Sequence, residues 1–213
     1  IQEVRSPGGI TAWLVQERSI PMLAVKIQFR GGASLDPAGK EGLANLLAGL
    51  LDEGAGDLDS QAFQGRLEDL AISLSFDAGR DGFGGSMRTL TENTDEAFRL
   101  MRLSLTEPRF DQDPVERIRS QVITGIRSRE QNPGTIVGRT LFEKLYPDHP
   151  YGRPSRGTPE SVSAIVADDL RAFVERRFAK ENLIVGVVGD ISAERLAVLL
   201  DQTFGKLCSP RGR

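Results

Sequence analysis

Residues 36–53 read Asp-Pro-Ala-Gly-Lys-Glu-Gly-Leu-Ala-Asn-Leu-Leu-Ala-Gly-Leu-Leu-Asp-Glu. Leu43, Leu46, Leu47, Leu50 and Leu51 recur at the i, i+3, i+4, i+7, i+8 spacing of one helix face, after a turn made by Pro37 and Gly39. The stretch is therefore expected to be a buried helix that stops near Gly54 and Gly56. Asn45, Ala48, Gly49 and Asp52 also fall one turn apart, on the other side, and present small side chains. A glycine inside a helix costs about 1 kcal/mol relative to alanine. That face either requires little bulk or has lost something bulky.

With 213 residues the chain can build one sizeable core or two small ones, and its formal net charge of -3 gives no electrostatic reason to expect nucleic acid as a partner. No apolar run approaches the roughly 20 residues that cross a bilayer, so no transmembrane segment is expected. The first residue is Ile1, which fits either a trimmed chain or a mature one whose secretion signal has been removed. The single cysteine, Cys208, cannot form an internal disulfide, and the single histidine, His149, leaves little for metal or acid–base chemistry.

Working outward along the chain, residues 10–16 and 22–29 read as strands, the second alternating at Leu23, Val25, Ile27 and Phe29, and they are expected to pair as an antiparallel hairpin. Asp59 or Ser60 is expected to cap a helix running to about Leu70, and 72–76 and 82–90 read as strands around a turn at 77–81. Gly79, Gly82, Gly84 and Gly85 read as turn and strand-edge glycines, because a phosphate loop would follow one strand and open a helix. Helices are expected at 95–105, 115–131, 135–145, 161–178 and 193–204, a loop at 146–154 and a strand at 183–188. Arg117, Arg119, Arg127 and Arg129 read as a solvated helix face with local ion pairs, with a basic binding surface as the alternative. This order, with no internal repeat and no linker, predicts one α+β domain over 1–207, a largely antiparallel sheet with helices packed mainly on one face, and a polar tail at 208–213.

The frame Gly42-Leu43-Ala44-x-Leu46-Leu47-x-x-Leu50-Leu51, preceded by Arg30 to Pro37, resembles the zinc helix of the insulinase/pitrilysin family of metallopeptidases. Gly9-Ile10 with Leu14-Val15, Arg80-Asp81, Arg129 to Pro133, His149-Pro150-Tyr151-Gly152-Arg153-Pro154, and Asn182-Leu183 with Val188-Gly189-Asp190 extend the resemblance from about Gly8 to Leu207. It implies an α+β domain that usually occurs twice in tandem, two halves or subunits closing around a peptide chamber. This chain resembles the first half, and the second tandem domain is absent from it. In active members the helix carries His-x-x-Glu-His, two zinc ligands and a general base, and a later helix supplies a glutamate as the third ligand. Carried over, those positions are Asn45, Ala48, Gly49 and Gly125. None is a normal zinc ligand, so no metal and no catalytic residue are expected here, and zinc is expected only in a catalytic partner.

His149 is the sole candidate for acid–base work and is expected to be a structural loop histidine. Ser73, Leu74, Ser75 and Phe76 resemble the edge strand on which active relatives lay out a peptide by β-addition; the alternative is that Leu74 and Phe76 serve only the core. The resemblance implies a catalytically inactive homologue, the non-catalytic partner of a zinc-bearing paralogous subunit in a heteromeric peptidase, helping to enclose and bind peptide substrate. A bacterial periplasmic location is expected, with a cytoplasmic one left open. A purely structural core subunit of a larger complex is the alternative. An active peptidase with displaced ligands would require His149 and two carboxylates to converge.

Overall fold

In the computed structural model, which describes residues 1–207, the chain forms β1 (Gln2–Arg5), β2 (Thr11–Gln16), β3 (Met22–Arg30), α1 (Leu43–Ala48), α2 (Ser60–Asp69), β4 (Ser73–Ala78) and β5 (Gly82–Leu90). It continues with α3 (Thr94–Thr106), α4 (Gln112–Glu130), α5 (Pro133–Leu145), α6 (Pro159–Ser163), α7 (Ala167–Arg177), β6 (Leu183–Gly189) and α8 (Ala193–Phe204). The strands make one sheet in the order β1-β2-β6-β3-β5-β4. Only β2 and β6 run parallel; the other neighbours are antiparallel. Cys208 and the tail at 208–213 lie outside the described residues.

Period-two alternation decides the two faces of this sheet. Leu14, Val187, Val25, Met87 and Leu74 are successive cross-strand partners from β2 to β4, and all are buried. The next row of that face runs Ala12, Val185, Ile27, Gly85, Phe76, and a Cβ at Gly85 would sit 2.9 Å from Phe76 Cδ1 and 3.0 Å from Ile27 Cγ1. The glycine leaves room for its neighbours' larger side chains to meet. Leu46 and Leu47 of α1, Phe98 and Met101 of α3 and Leu196 and Leu200 of α8 are buried in the same core. Phe178 stacks on Phe29 and lies tilted against Phe83 beside them, with ring centroids 4.6 Å and 5.0 Å apart. The opposite face is open, and Trp13, Val15, Ile184 and Val188 are exposed on it. This is the expected α+β class.

The expected hairpin between 10–16 and 22–29 does not form, because β6 lies between the two strands. The connection passes over the end of β6 at Gly189: Glu17 N–H donates to the Gly189 carbonyl at 3.0 Å and Asp190 N–H to the Met22 carbonyl at 3.1 Å. Gly189 has φ +138°, and a Cβ there would overlap the Met22 carbonyl oxygen. Strand β1 has no counterpart in the sequence reading. The buried helix is also shorter than its leucine pattern predicts. After Ala48 the bonds tighten to Leu50 N–H on Leu47 O and Glu53 N–H on Leu50 O, so Leu50 and Leu51 reach the core from turns. The single helix expected over 161–178 is two, α6 and α7, with the Asp169 carboxylate accepting the Val166 N–H at 2.8 Å at the break.

Candidate functional site

Helix α1 is set in place by a buried carboxylate. Asp36 accepts the N–H groups of Gly42 at 2.9 Å and Ala44 at 3.1 Å, two donors that the first turn of a helix leaves unpaired. Burial pushes its carboxyl up to about 7, against the pull of the Ala44, Gly42 and Leu43 N–H groups toward lower values. Gly42, at φ +94°, turns the chain into the helix where a Cβ would meet the Arg156 carbonyl. In the sequence Asp36 is only the residue before the Pro37 and Gly39 turn, and its spacing from Gly42 and Ala44 carries no signature by which to assign the cap.

Asn45, Ala48 and Gly49 lie on one turn, since Gly49, just past the end of α1, keeps a right-handed helical conformation at φ -81° and ψ -2°. Ala48 is buried and the other two are half-buried. A Cβ on Gly49 would stand 3.0 Å from Ile118 Cγ2, so α4 passes closely across this end of α1. Gly125 is two turns further along α4, between Val122 and Ile126, which pack on the core. Beyond Gly49, burial raises the Asp52 carboxyl, and Glu53 is ion-paired with Arg117 of α4. An amide, a methyl group and two glycines offer neither imidazole nor carboxylate, so the residues at the four carried-over positions do not fit a zinc ion.

The histidine is elsewhere. His149 opens a 3-10 turn at Pro150–Gly152, its Nδ1 accepting the Tyr151 N–H at 3.2 Å, with its ring edge-on to Tyr151 at 4.7 Å. No group of three His, Cys, Asp or Glu side chains that could hold a metal ion occurs among the described residues, so the convergence that displaced ligands would require is not found there. Strand β4, with Ser73, Leu74, Ser75 and Phe76, is an edge of the sheet, bonded to β5 on one side and packed against α1. Leu74 is buried, Phe76 half-buried, and Ser73 and Ser75 are exposed, with the Ser75 hydroxyl 3.0 Å from that of Ser86. The strand therefore serves the core with one set of side chains and still presents an edge.

Two separate sequence landmarks come together next to that edge. Arg80 donates to the Tyr151 carbonyl at 2.8 Å and lies 4.0 Å over the Phe142 ring, while the Tyr151 hydroxyl donates to Asp81 at 2.7 Å. Of the α4 arginines, Arg117 and Arg119 are structural, pairing with Glu53 and Glu116, and Arg119 also donates to the Val162 carbonyl.

A sequence profile of the family described as Insulinase (Peptidase family M16) matches residues 13–159. "Non-peptidase homolog YmxG" of Helicobacter pylori is 30% identical over 194 residues, covering 91% of this chain and 44% of that protein. "Mitochondrial-processing peptidase subunit beta" of Saccharomyces cerevisiae is 22% identical over 215 residues, 97% of this chain and 46% of that one. The crystal structure of a peptidase M16 inactive domain from Pseudomonas fluorescens superposes on the whole chain with TM-score 0.91 at 27% identity, using 52% of its own length. The chain thus spans about half the length of these relatives. The profile match over most of the chain and the shared architecture agree with the zinc-helix frame at α1: the chain belongs to the insulinase family, peptidase family M16.

Proposed function

We propose that this chain is a catalytically silent M16 domain that binds peptide beside a zinc-bearing relative and helps to enclose it. The observation that carries the reading is α1 itself. It keeps one turn of helix against an edge strand, but Asn45, Ala48 and Gly49 stand where active members of the family need imidazole and carboxylate. The descriptions of the Helicobacter relative as a non-peptidase homologue and of the Pseudomonas domain as inactive support it, and the yeast relative is described as a subunit. In this reading β4 receives peptide by β-addition, in which backbone hydrogen bonds give affinity with little dependence on sequence. A second domain of the same kind covers the open face of the sheet around Trp13.

The test is zinc content by elemental analysis of the purified, metal-supplemented chain, together with peptide cleavage assayed alone and with an M16 relative that carries the intact zinc motif. The expected result is no bound zinc, no cleavage alone, and cleavage in the mixture that falls when the two proteins are separated. Assembly with no change in cleavage would favour the structural-subunit role. Stoichiometric zinc with cleavage by this chain alone would overturn the proposal.

A further inference from the structure

A cavity of about 550 Å³ opens between α4, α5 and the loop 152–157, and its wall carries Arg80, Arg129, Arg139, Arg153 and Arg156. Among the described residues, the only carboxylate lining it is Glu130 and none of the five arginines makes an ion pair. Two have structural duties: Arg80 holds the Tyr151 carbonyl, and Arg153 donates to the Asp36 carbonyl at 3.2 Å. Arg129, Arg139 and Arg156 have no such duty and are exposed to solvent at the cavity.

The wall is built rather than incidental. The loop bearing Arg153 and Arg156 is seated at both ends by glycines, since a Cβ at Gly152 would overlap the Tyr146 carbonyl oxygen and one at Gly157 that of Glu41. Like charges are therefore held near one another on a fixed frame. Partial burial and the neighbouring charge of Arg129 both push Arg156 down from the usual guanidinium range. An anion between them would relieve that repulsion, and guanidinium groups bind carboxylates through paired, charge-assisted hydrogen bonds. Ile126, Ile136 and Phe142 supply apolar lining for the methylene groups that carry a carboxylate. The cavity also lies at one end of the edge strand, for Arg80 is two residues beyond Ala78, the last residue of β4.

We infer that this arginine cavity receives the carboxylate groups of an acidic peptide segment whose neighbouring residues lie along β4. The inference rests on the edge-strand reading above and adds a charge preference to it.

The test compares a short acidic peptide with its amide counterpart, every Glu and Asp replaced by Gln and Asn and the C-terminus amidated, by fluorescence anisotropy on the full chain. Wild type and Arg129→Gln/Arg156→Gln are both measured, with pyrophosphate as a further probe. The acidic peptide should bind wild type about tenfold more tightly than the amide at low salt, and the advantage should vanish in the double variant and at high salt. The amide peptide should bind both proteins alike. Equal binding of the two peptides to wild type overturns the inference and leaves the edge-strand reading standing. Arginine-dependent binding of the acidic peptide without any binding of the amide keeps the cavity and removes the edge strand. Binding of neither peptide, or of pyrophosphate only, overturns the carboxylate assignment. Arg139→Gln, exposed on α5, provides a second variant with the same expected direction should the double variant fold poorly.

Discussion

Asp36 is nearly inaccessible to solvent, and the carboxyl group that organises the start of α1 is held there by backbone N–H groups instead of a cation. Its ordinary value of 3.8 is raised to about 7, with burial as the larger cause. Between those values the folded chain holds a proton that the unfolded chain has released. Stability from this group is therefore complete below 3.8 and is lost as pH rises through about 7. Asp36→Asn has no proton to release. Urea midpoints of wild type should fall relative to those of Asp36→Asn as pH rises from about 5 to about 8. Parallel curves would mean that the three N–H groups hold Asp36 ionised throughout. Gly49 belongs to the same scale but is constrained from a distance, because a Cβ there would stand tight against Ile118 Cγ2 of another helix.

Among the elements, β6 ends on a single backbone position with no room for a side chain. Gly189 is at φ +138°, a conformation that side chains rarely adopt, with the Met22 carbonyl where its Cβ would be. Gly189→Ala should destabilise the fold by roughly 2–4 kcal/mol, because strain and overlap both fall on the strand between β2 and β3. Chemical denaturation measures it, and a loss below about 0.5 kcal/mol would mean that the crossing loop relaxes freely. The same crossing explains what the sequence conceals. The alternation of Leu23, Val25, Ile27 and Phe29 announces a half-buried strand, and the structure agrees. Which strand lies beside it is a non-local matter, decided when the apolar run 183–189 enters from the far end of the chain. The leucine stripe of α1 likewise shows which residues are buried but not where regular helix stops, since turns can bury Leu50 and Leu51 as well. Caps made by adjacent residues were easier to read, and Asp59 does accept the Ala62 N–H at the start of α2.

At the scale of the whole molecule, the candidate site was legible in pieces. Arg80-Asp81 and His149 to Pro154 stand out as separate landmarks, yet only folding joins Arg80 to Tyr151 and Tyr151 to Asp81. The arginines of the cavity follow no period along the chain, so neither helix nor strand patterning could have gathered them. The open face of the sheet is a different case, because alternation shows that it exists and says nothing of what covers it. Trp13 is half exposed there, paired with Gly186 of β6, while Val15 pairs with Val188 and Ile184 extends the apolar area. Exposed neighbouring apolar side chains on three adjacent strands, Met22 of β3 included, are more than the scattered single residues of an ordinary surface. Under the proposal that a second M16 domain covers this face, Trp13 reports on it directly, being the single tryptophan of the chain. In a protein extended to the length of its relatives, with Trp13 kept as the only tryptophan, its emission should shift to the blue and acrylamide quenching should fall relative to the 213-residue chain. Trp13→Lys should leave the shorter chain's stability within about 0.5 kcal/mol, as expected for an exposed position, and should destabilise the extended protein by considerably more. Unchanged emission and quenching in the extended protein would place the second domain elsewhere and leave this face to another partner.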